Sequence, residues 1–86
     1  MRLILNDGTI IDSGQAWLVT GVLRCFFNGY TINEAATLFL DATKTAHIIY
    51  DNGETQETFD GYTICTSIDM DVEGYVHIGL EKGVEA

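Results

Sequence analysis

Asp69, Asp71 and Glu73 stand at alternate positions in "DMDVEGYVHIGL", residues 69–80, and Gly74 comes sixth. That is how an EF-hand calcium loop begins, with side-chain oxygens at its first, third and fifth positions and a glycine for the sharp turn. The loop also requires a bidentate carboxylate at its twelfth position and a helix on each side. Here the twelfth position is Leu80 and Glu81 falls one place late. Both flanks alternate with period two, as strands do. "DVEG" therefore reads as a hairpin turn whose acids point to solvent, and neither a metal nor a cofactor is expected.

The other residues able to do chemistry are few. His47 and His77 could pair as metal ligands, or one could act as a base beside Asp69. Each instead lies in an alternating segment, outside any ligand spacing, where a half-exposed histidine is ordinary. Cys65 and Ser67 lack the strand–turn–helix setting of a nucleophile elbow. The glycines occur singly in turns, so no phosphate-cradling loop is formed. Basic residues number four, which draws attention to Arg24 inside an apolar run and Lys44 just past a helix. Together they would make an anion-binding pair. The competing reading is that each neutralises a neighbouring acid such as Asp41.

These side chains need elements to hold them. Turn signals recur at Asn6-Asp7-Gly8, Asn28-Gly29, Asp51-Asn52-Gly53, Asp60-Gly61 and Glu73-Gly74, and such dipeptides between apolar runs mark hairpins because they tolerate positive φ. "RLILN" and "TIID" form a first hairpin, and "HIIYD" and "ETQETF" a second around Asn52-Gly53. "AWLVTGVLRCFF" is apolar on both faces. Its β-branched and aromatic content favours one long bent strand over a helix, with Gly21 at a bulge or close approach. "TINEAATLFLD" is a helix over residues 31–40. Thr31 and Glu34 make a capping box, and Ile32, Ala35, Ala36 and Phe39 form its core stripe. "YTICTSIDMD" places Tyr62, Ile64, Thr66, Ile68 and Met70 on one face, with Thr63, Cys65, Ser67, Asp69 and Asp71 opposite. "YVHIGLEK" places Val76, Ile78 and Leu80 on one face. The expected class is α+β: an antiparallel β-sheet of about six strands, one face on a single short helix and one face wet.

At 86 residues the chain suits a single domain, residues 1–86, that buries only about 60% of its unfolded surface. Such a domain gains from self-association, and a homodimer through an exposed edge strand is expected. The nine aromatics, Trp17, Phe26, Phe27, Tyr30, Phe39, Tyr50, Phe59, Tyr62 and Tyr75, exceed what so small a core accommodates, so some should build an interface. Cys25 and Cys65 read as reduced, partly buried side chains rather than a disulfide or a zinc site. No run approaches a membrane span. "MRLILNDGT" reaches a turn too soon for a signal peptide, so a soluble intracellular chain is expected.

Charge separates the two halves. Thirteen acids against four basic residues give −9. Residues 1–50 hold Asp7, Asp12, Glu34 and Asp41 against Arg2, Arg24 and Lys44, or −1. Residues 51–86 hold Asp51, Glu54, Glu57, Asp60, Asp69, Asp71, Glu73, Glu81 and Glu85 against Lys82, or −8. This field repels phosphate backbones, so direct nucleic-acid binding is disfavoured and a partner with a basic surface is favoured. The candidate contact residues are Asp51, Glu54, Glu57, Asp60, Asp69, Asp71 and Glu73. Acidity that merely keeps a small domain in solution is the plainer account of the same numbers.

"DGTII", "FLDATKTAHIIYDNGET", "GYT" and the closing "VHIGLEK" resemble small proteins of phages and prophages of Firmicutes and gut metagenomes. The likeness spans most of the chain, but its motifs are turns and strand ends, so it carries over no functional residues. It implies a viral setting, in which small acidic proteins serve as tail or baseplate accessories or as inhibitors of host defence. The leading expectation is a non-enzymatic inhibitor, acting in the host cytoplasm, that blocks a defence component such as a CRISPR effector through its acidic surface. The alternatives are a virion tail or baseplate accessory and a sponge that sequesters a nucleotide immune signal around Arg24 and Lys44.

Overall fold

The change from mixed to period-two patterning resolves into eight strands and two short helices in the computed structural model, which describes residues 1–83. Glu85, counted with the acidic half, lies outside the described residues. In chain order the elements are β1 (Arg2–Ile4), β2 (Ile10–Asp12), β3 (Gln15–Val19), β4 (Val22–Phe27), α1 (Ile32–Phe39), α2 (Ala42–Thr45), β5 (His47–Asp51), β6 (Gln56–Asp60), β7 (Ile64–Met70) and β8 (Val76–Glu81). The strands form two antiparallel four-stranded sheets, ordered β2-β1-β5-β6 and β3-β4-β8-β7. The class is α+β as expected, but the count of about six strands and one helix is corrected to eight strands and two helices.

Two local causes account for the difference. "AWLVTGVLRCFF" is not one bent strand: Thr20 (φ 48°) and Gly21 (φ 81°) form a two-residue turn that folds it into a β3–β4 hairpin. Positive φ at both central positions is the type I′ geometry whose twist matches the flanking strands. Gly21 is thus a turn residue, and a Cβ added there would meet nothing within 4 Å. The second cause is Asp41. Rather than only ending the first helix, it caps α2 by accepting a hydrogen bond from the Thr43 amide at 3.0 Å.

The first helix forms as its sequence dictates. Thr31 Oγ1 accepts from the Glu34 amide at 3.1 Å, and Glu34 Oε1 accepts from the Thr31 amide at 2.9 Å. Of its proposed stripe, Ala35 and Phe39 are buried, Ala36 is half-buried and Ile32 is exposed.

One apolar cluster joins the two sheets and α1. Leu3, Ile11, Ile48 and Phe59 come from the first sheet, Leu23, Cys25, Phe27, Val76, Ile78 and Leu80 from the second, and Ala35 and Phe39 from α1. Phe39 stacks on Phe27 at 5.4 Å between ring centres. The register across the second sheet then fixes its two faces. Cys25, Ile78 and Ile68 lie opposite one another toward the core, whereas Trp17, Arg24, Gly79 and Ser67 lie opposite one another on the far side.

β7 departs from the alternation of its sequence. An irregularity between Cys65 and Ser67 gives β7 one residue more than β8 at that point. Such a bulge shifts the side-chain parity. Cys65 therefore pairs with buried Leu80 while Ile64 pairs with Glu81 and stands 43% exposed. The assignment of Ile64 to the same face as Ile68 is overturned.

Candidate functional site

The acidic candidates occupy two hairpins in different sheets. Asp51 ends β5, Glu54 lies in the turn, and Glu57 and Asp60 lie on β6; Asp69 lies on β7, and Asp71 and Glu73 lie in the β7–β8 turn. Their surroundings divide them into structural and free groups. Asp51 accepts from the Gly53 amide at 2.9 Å and from Arg2 Nε at 3.4 Å. The Gly53 amide is the main reason its carboxyl is held below the ordinary aspartate value. Asp60 pairs with Nδ1 of His47 across the β5–β6 register. Glu54, Glu57, Asp69 and Glu73 are exposed and, among the described residues, meet no basic side chain.

The stretch 69–80 is a hairpin, not a loop between helices: Asp69 pairs with His77 and Met70 with Val76 across it. Asp71 does not simply point to solvent, however. Its Oδ1 accepts from the amides of Glu73 (2.9 Å) and Tyr75 (3.0 Å), and its Oδ2 lies 2.9 Å from Nε2 of His77. The His77 bond, followed by those amides, pulls the Asp71 carboxyl below its ordinary value. Oxygens already committed to the turn's own amides are poorly placed for a cation. Among the described residues, no three His, Cys, Asp or Glu side chains gather to hold one. Millimolar calcium is expected to leave the melting temperature unchanged, because only a ligand of the native state raises it. A rise of several degrees in differential scanning fluorimetry would return the loop to the calcium-binding class.

The same bonding pattern recurs at other chain reversals and predicts the response to acid. Asp7 is lowered by Thr9, Glu34 by the Thr31 amide and Asp41 by Thr43, each at a turn or helix start. A carboxyl whose folded value lies below its unfolded value stabilises the fold fully above the unfolded value and loses that contribution as pH falls through the folded one. The ordinary values are 3.8 for Asp and 4.5 for Glu. Melts in about 0.5 M salt, where charge repulsion is screened, should hold steady to about pH 4 and decline below it. A melting temperature constant to about pH 2 would contradict this assignment.

The histidines do not meet as a pair. His47 belongs to the first sheet with Asp60, and His77 to the second with Asp71. Arg24 and Lys44 are not brought together either. Arg24 projects from the face of the second sheet turned away from the core, whereas Lys44 lies on α2, which packs against α1 on the core side. Lys44 acts electrostatically on Asp7 and Asp41, which fits the neutralising reading. For Arg24 no carboxylate stands within ion-pair distance among the described residues. Its Nη1 would lie 3.2 Å from a Cβ added at Gly79, and the Ser67 and Thr66 hydroxyls border the same space.

The surplus aromatics account for what surrounds Arg24. Trp17 stands opposite it on β3, and Phe26 lies one step along the same face of β4. Phe26 stacks on Tyr75 at 4.6 Å, meets His77 edge-on at 4.9 Å and lies 6.5 Å from Trp17. The outward face of the second sheet therefore carries an aromatic strip beside a guanidinium that meets no carboxylate among the described residues. The excess of rings was the available sequence signal; the missed β3–β4 turn hid which rings share a face. Burial among apolar side chains pushes the Cys25 thiol up to about 12, away from the thiolate a nucleophile needs, and Cys65 is raised by the same cause.

No family model, curated protein or solved structure matches the chain. No helix among the described residues is long and apolar enough to cross a membrane.

Proposed function

We propose that the protein works by binding rather than catalysis, as a phage-encoded inhibitor that sets its acidic hairpins against a basic surface of a host defence component, such as a CRISPR effector. The observation that carries this reading is the lack of internal neutralisation. Of the seven candidate carboxylates only Asp51 meets a guanidinium, Asp60 and Asp71 meet histidines, and the other four meet no basic side chain among the described residues. Exposed carboxylates held on paired strands and the turns between them keep their field available to a partner and speed its encounter. The viral setting and the host cytoplasm as the place of action come from the resemblance alone.

The test is plaque formation by phage with and without the gene on defence-positive and defence-negative hosts. The inhibitor reading expects a loss of plaques only when the gene is absent and the defence present. Equal loss on both hosts supports the tail or baseplate reading, and equal counts throughout remove the inhibitor.

A second reading has its own observation. Arg24, without a carboxylate partner among the described residues and flanked by Trp17 and Phe26, is suited to an anion that carries a stacking ring, as a nucleotide signal does. In that sponge, binding of a cyclic nucleotide is lost in Arg24→Ala and unaffected by Lys44→Ala, because Lys44 lies on the other side of the sheet.

A further inference from the structure

Trp17, Arg24, Gly79 and Ser67 form one row across the outward face of the second sheet, a residue from each strand. Gly79 leaves a gap in that row, and its neighbours lean into it. A Cβ added there would lie 2.6 Å from Ser67 Oγ, 3.2 Å from Arg24 Nη1 and 3.2 Å from Thr66 Oγ1. A guanidinium from β4 and two hydroxyls from β7 thus converge on one point over β8. The β7 bulge brings this about. Thr66 is its extra residue, so two consecutive hydroxyl side chains border the same glycine, as bulges re-aim side chains at binding sites. We propose that this point is the seat of a single phosphoryl group, borne by a mononucleotide whose base stacks on Trp17. The proposal rests on the nucleotide reading of Arg24 and narrows it to ligands with one phosphate.

The donors suit that group. Arg24 is exposed and meets no carboxylate among the described residues, so its fork of N–H groups can take two oxygens of an anion. Thr66 Oγ1 donates to the Gly79 carbonyl at 3.2 Å, which leaves Ser67 as the hydroxyl that donates to the ligand. Donors reaching in from both sides of Gly79 match a tetrahedral group, whereas the fork alone would satisfy a flat carboxylate. Trp17 stands opposite Arg24 and is 43% exposed. Phe26 is already stacked on Tyr75, so the indole is the ring that receives the base.

Charge limits the ligand to one phosphate. Arg24 is the only lysine or arginine on the four strands of this sheet. Arg2 lies on β1, Lys44 on α2, and Lys82 sits over the ring of buried Tyr62. The next outward-facing residue after Ser67 on β7 is Asp69, opposite His77. A second phosphate would therefore meet a carboxylate instead of a cation, and a polynucleotide needs several cations in line. Arg24 and Gly79 stand on the two inner strands, β4 and β8, and strands hold a site more precisely than loops do.

Calorimetric titration of the full chain tests it, together with the emission of Trp17, the only tryptophan. Adenosine monophosphate should bind and quench the indole, and inorganic phosphate should compete with it without quenching. Adenosine, which lacks the phosphoryl group, should bind at least about tenfold more weakly. Arg24→Ala and Arg24→Lys should each weaken the monophosphate by about tenfold or more, the second because lysine keeps the charge and loses the fork. Gly79→Ala should do the same by displacing Nη1 and Oγ. Should that variant fail to fold, Ser67→Ala, which removes only the hydroxyl, should still weaken binding several-fold. No binding at millimolar monophosphate overturns the proposal, as does adenosine bound as tightly, or a monophosphate affinity that Arg24→Ala leaves unchanged. The sponge reading fails separately. Monophosphate bound through Arg24, in a protein whose Arg24→Ala variant still protects the phage, upholds the seat and removes the sponge. A cyclic oligonucleotide bound through Arg24 but indifferent to Ser67→Ala and Gly79→Ala keeps the sponge and overturns the seat.

Discussion

Replacing Phe27 with alanine should cost about 3–5 kcal/mol of folding stability. Phe27 is fully buried, stacks on Phe39 at 5.4 Å and meets Tyr30 edge-on at 5.4 Å. It therefore joins the second sheet to α1 and to the turn that leads into it. A domain of 86 residues is stabilised by only about 4–13 kcal/mol at 0.05–0.15 kcal/mol per residue, so one such cavity removes at least about a quarter of the margin. Its sequence neighbour is the control. Phe26 faces outward and is half-exposed, and its main partner is Tyr75. Phe26→Ala should cost no more than about 1.5 kcal/mol, the scale of one aromatic pair. Urea unfolding at one fixed protein concentration, so that self-association does not enter, gives both values. A larger cost for Phe26→Ala than for Phe27→Ala would mean that the faces of β4 are assigned the wrong way round.

That contrast also shows what the sequence can and cannot reveal. The capping box of Thr31 and Glu34 and the hairpins at Asn6-Asp7-Gly8, Asp51-Asn52-Gly53 and Glu73-Gly74 were legible, because local hydrogen bonding and positive φ determine them within four or five residues. The β3–β4 turn was not. A β-branched Thr20 is an unusual residue at positive φ, and β3, as an edge strand, is apolar on both faces, so no alternation marked its end. The β7 bulge was hidden because "YTICTSIDMD" alternates without interruption; only the pairing with β8 shows that one residue is extra. Division into two sheets depends on β1 pairing with β5 and β4 with β8, contacts between residues far apart in sequence that local periodicity does not encode. Of the candidate site, the free carboxylates at 54, 57, 69 and 73 were legible by type. The structural duties of Asp51 and Asp71 were not, since both depend on backbone amides brought round by the turn.

Those duties determine how the acidic surface should be tested. Reversing Asp71 would disturb the hairpin it braces and confuse binding with folding. Glu54→Lys, Glu57→Lys, Asp69→Lys and Glu73→Lys together change only carboxylates without a basic partner among the described residues. Each reversal adds two charges, so the chain moves from −9 to −1. Exposed charges contribute little to stability, and the melting temperature should stay within a few degrees. Binding should respond far more. Steering by opposite charge raises association rates from a neutral 10⁵–10⁶ M⁻¹s⁻¹ by about 100-fold or more at low salt. Against a purified CRISPR nuclease from a defence-positive host, the quadruple variant should associate about 100-fold more slowly at low salt. Its association rate should also lose its salt dependence, because the interaction that salt screens over about 8–10 Å is gone. Dissociation should change less. In plaque assays the variant should behave as the gene deletion does on defence-positive hosts, while Arg24→Ala and Lys44→Ala behave as wild type. The sponge reading inverts the pattern, with Arg24→Ala inactive and the quadruple variant intact. A folded quadruple variant that still protects the phage fully, together with a wild-type association rate indifferent to salt, would show that the carboxylates serve solubility alone.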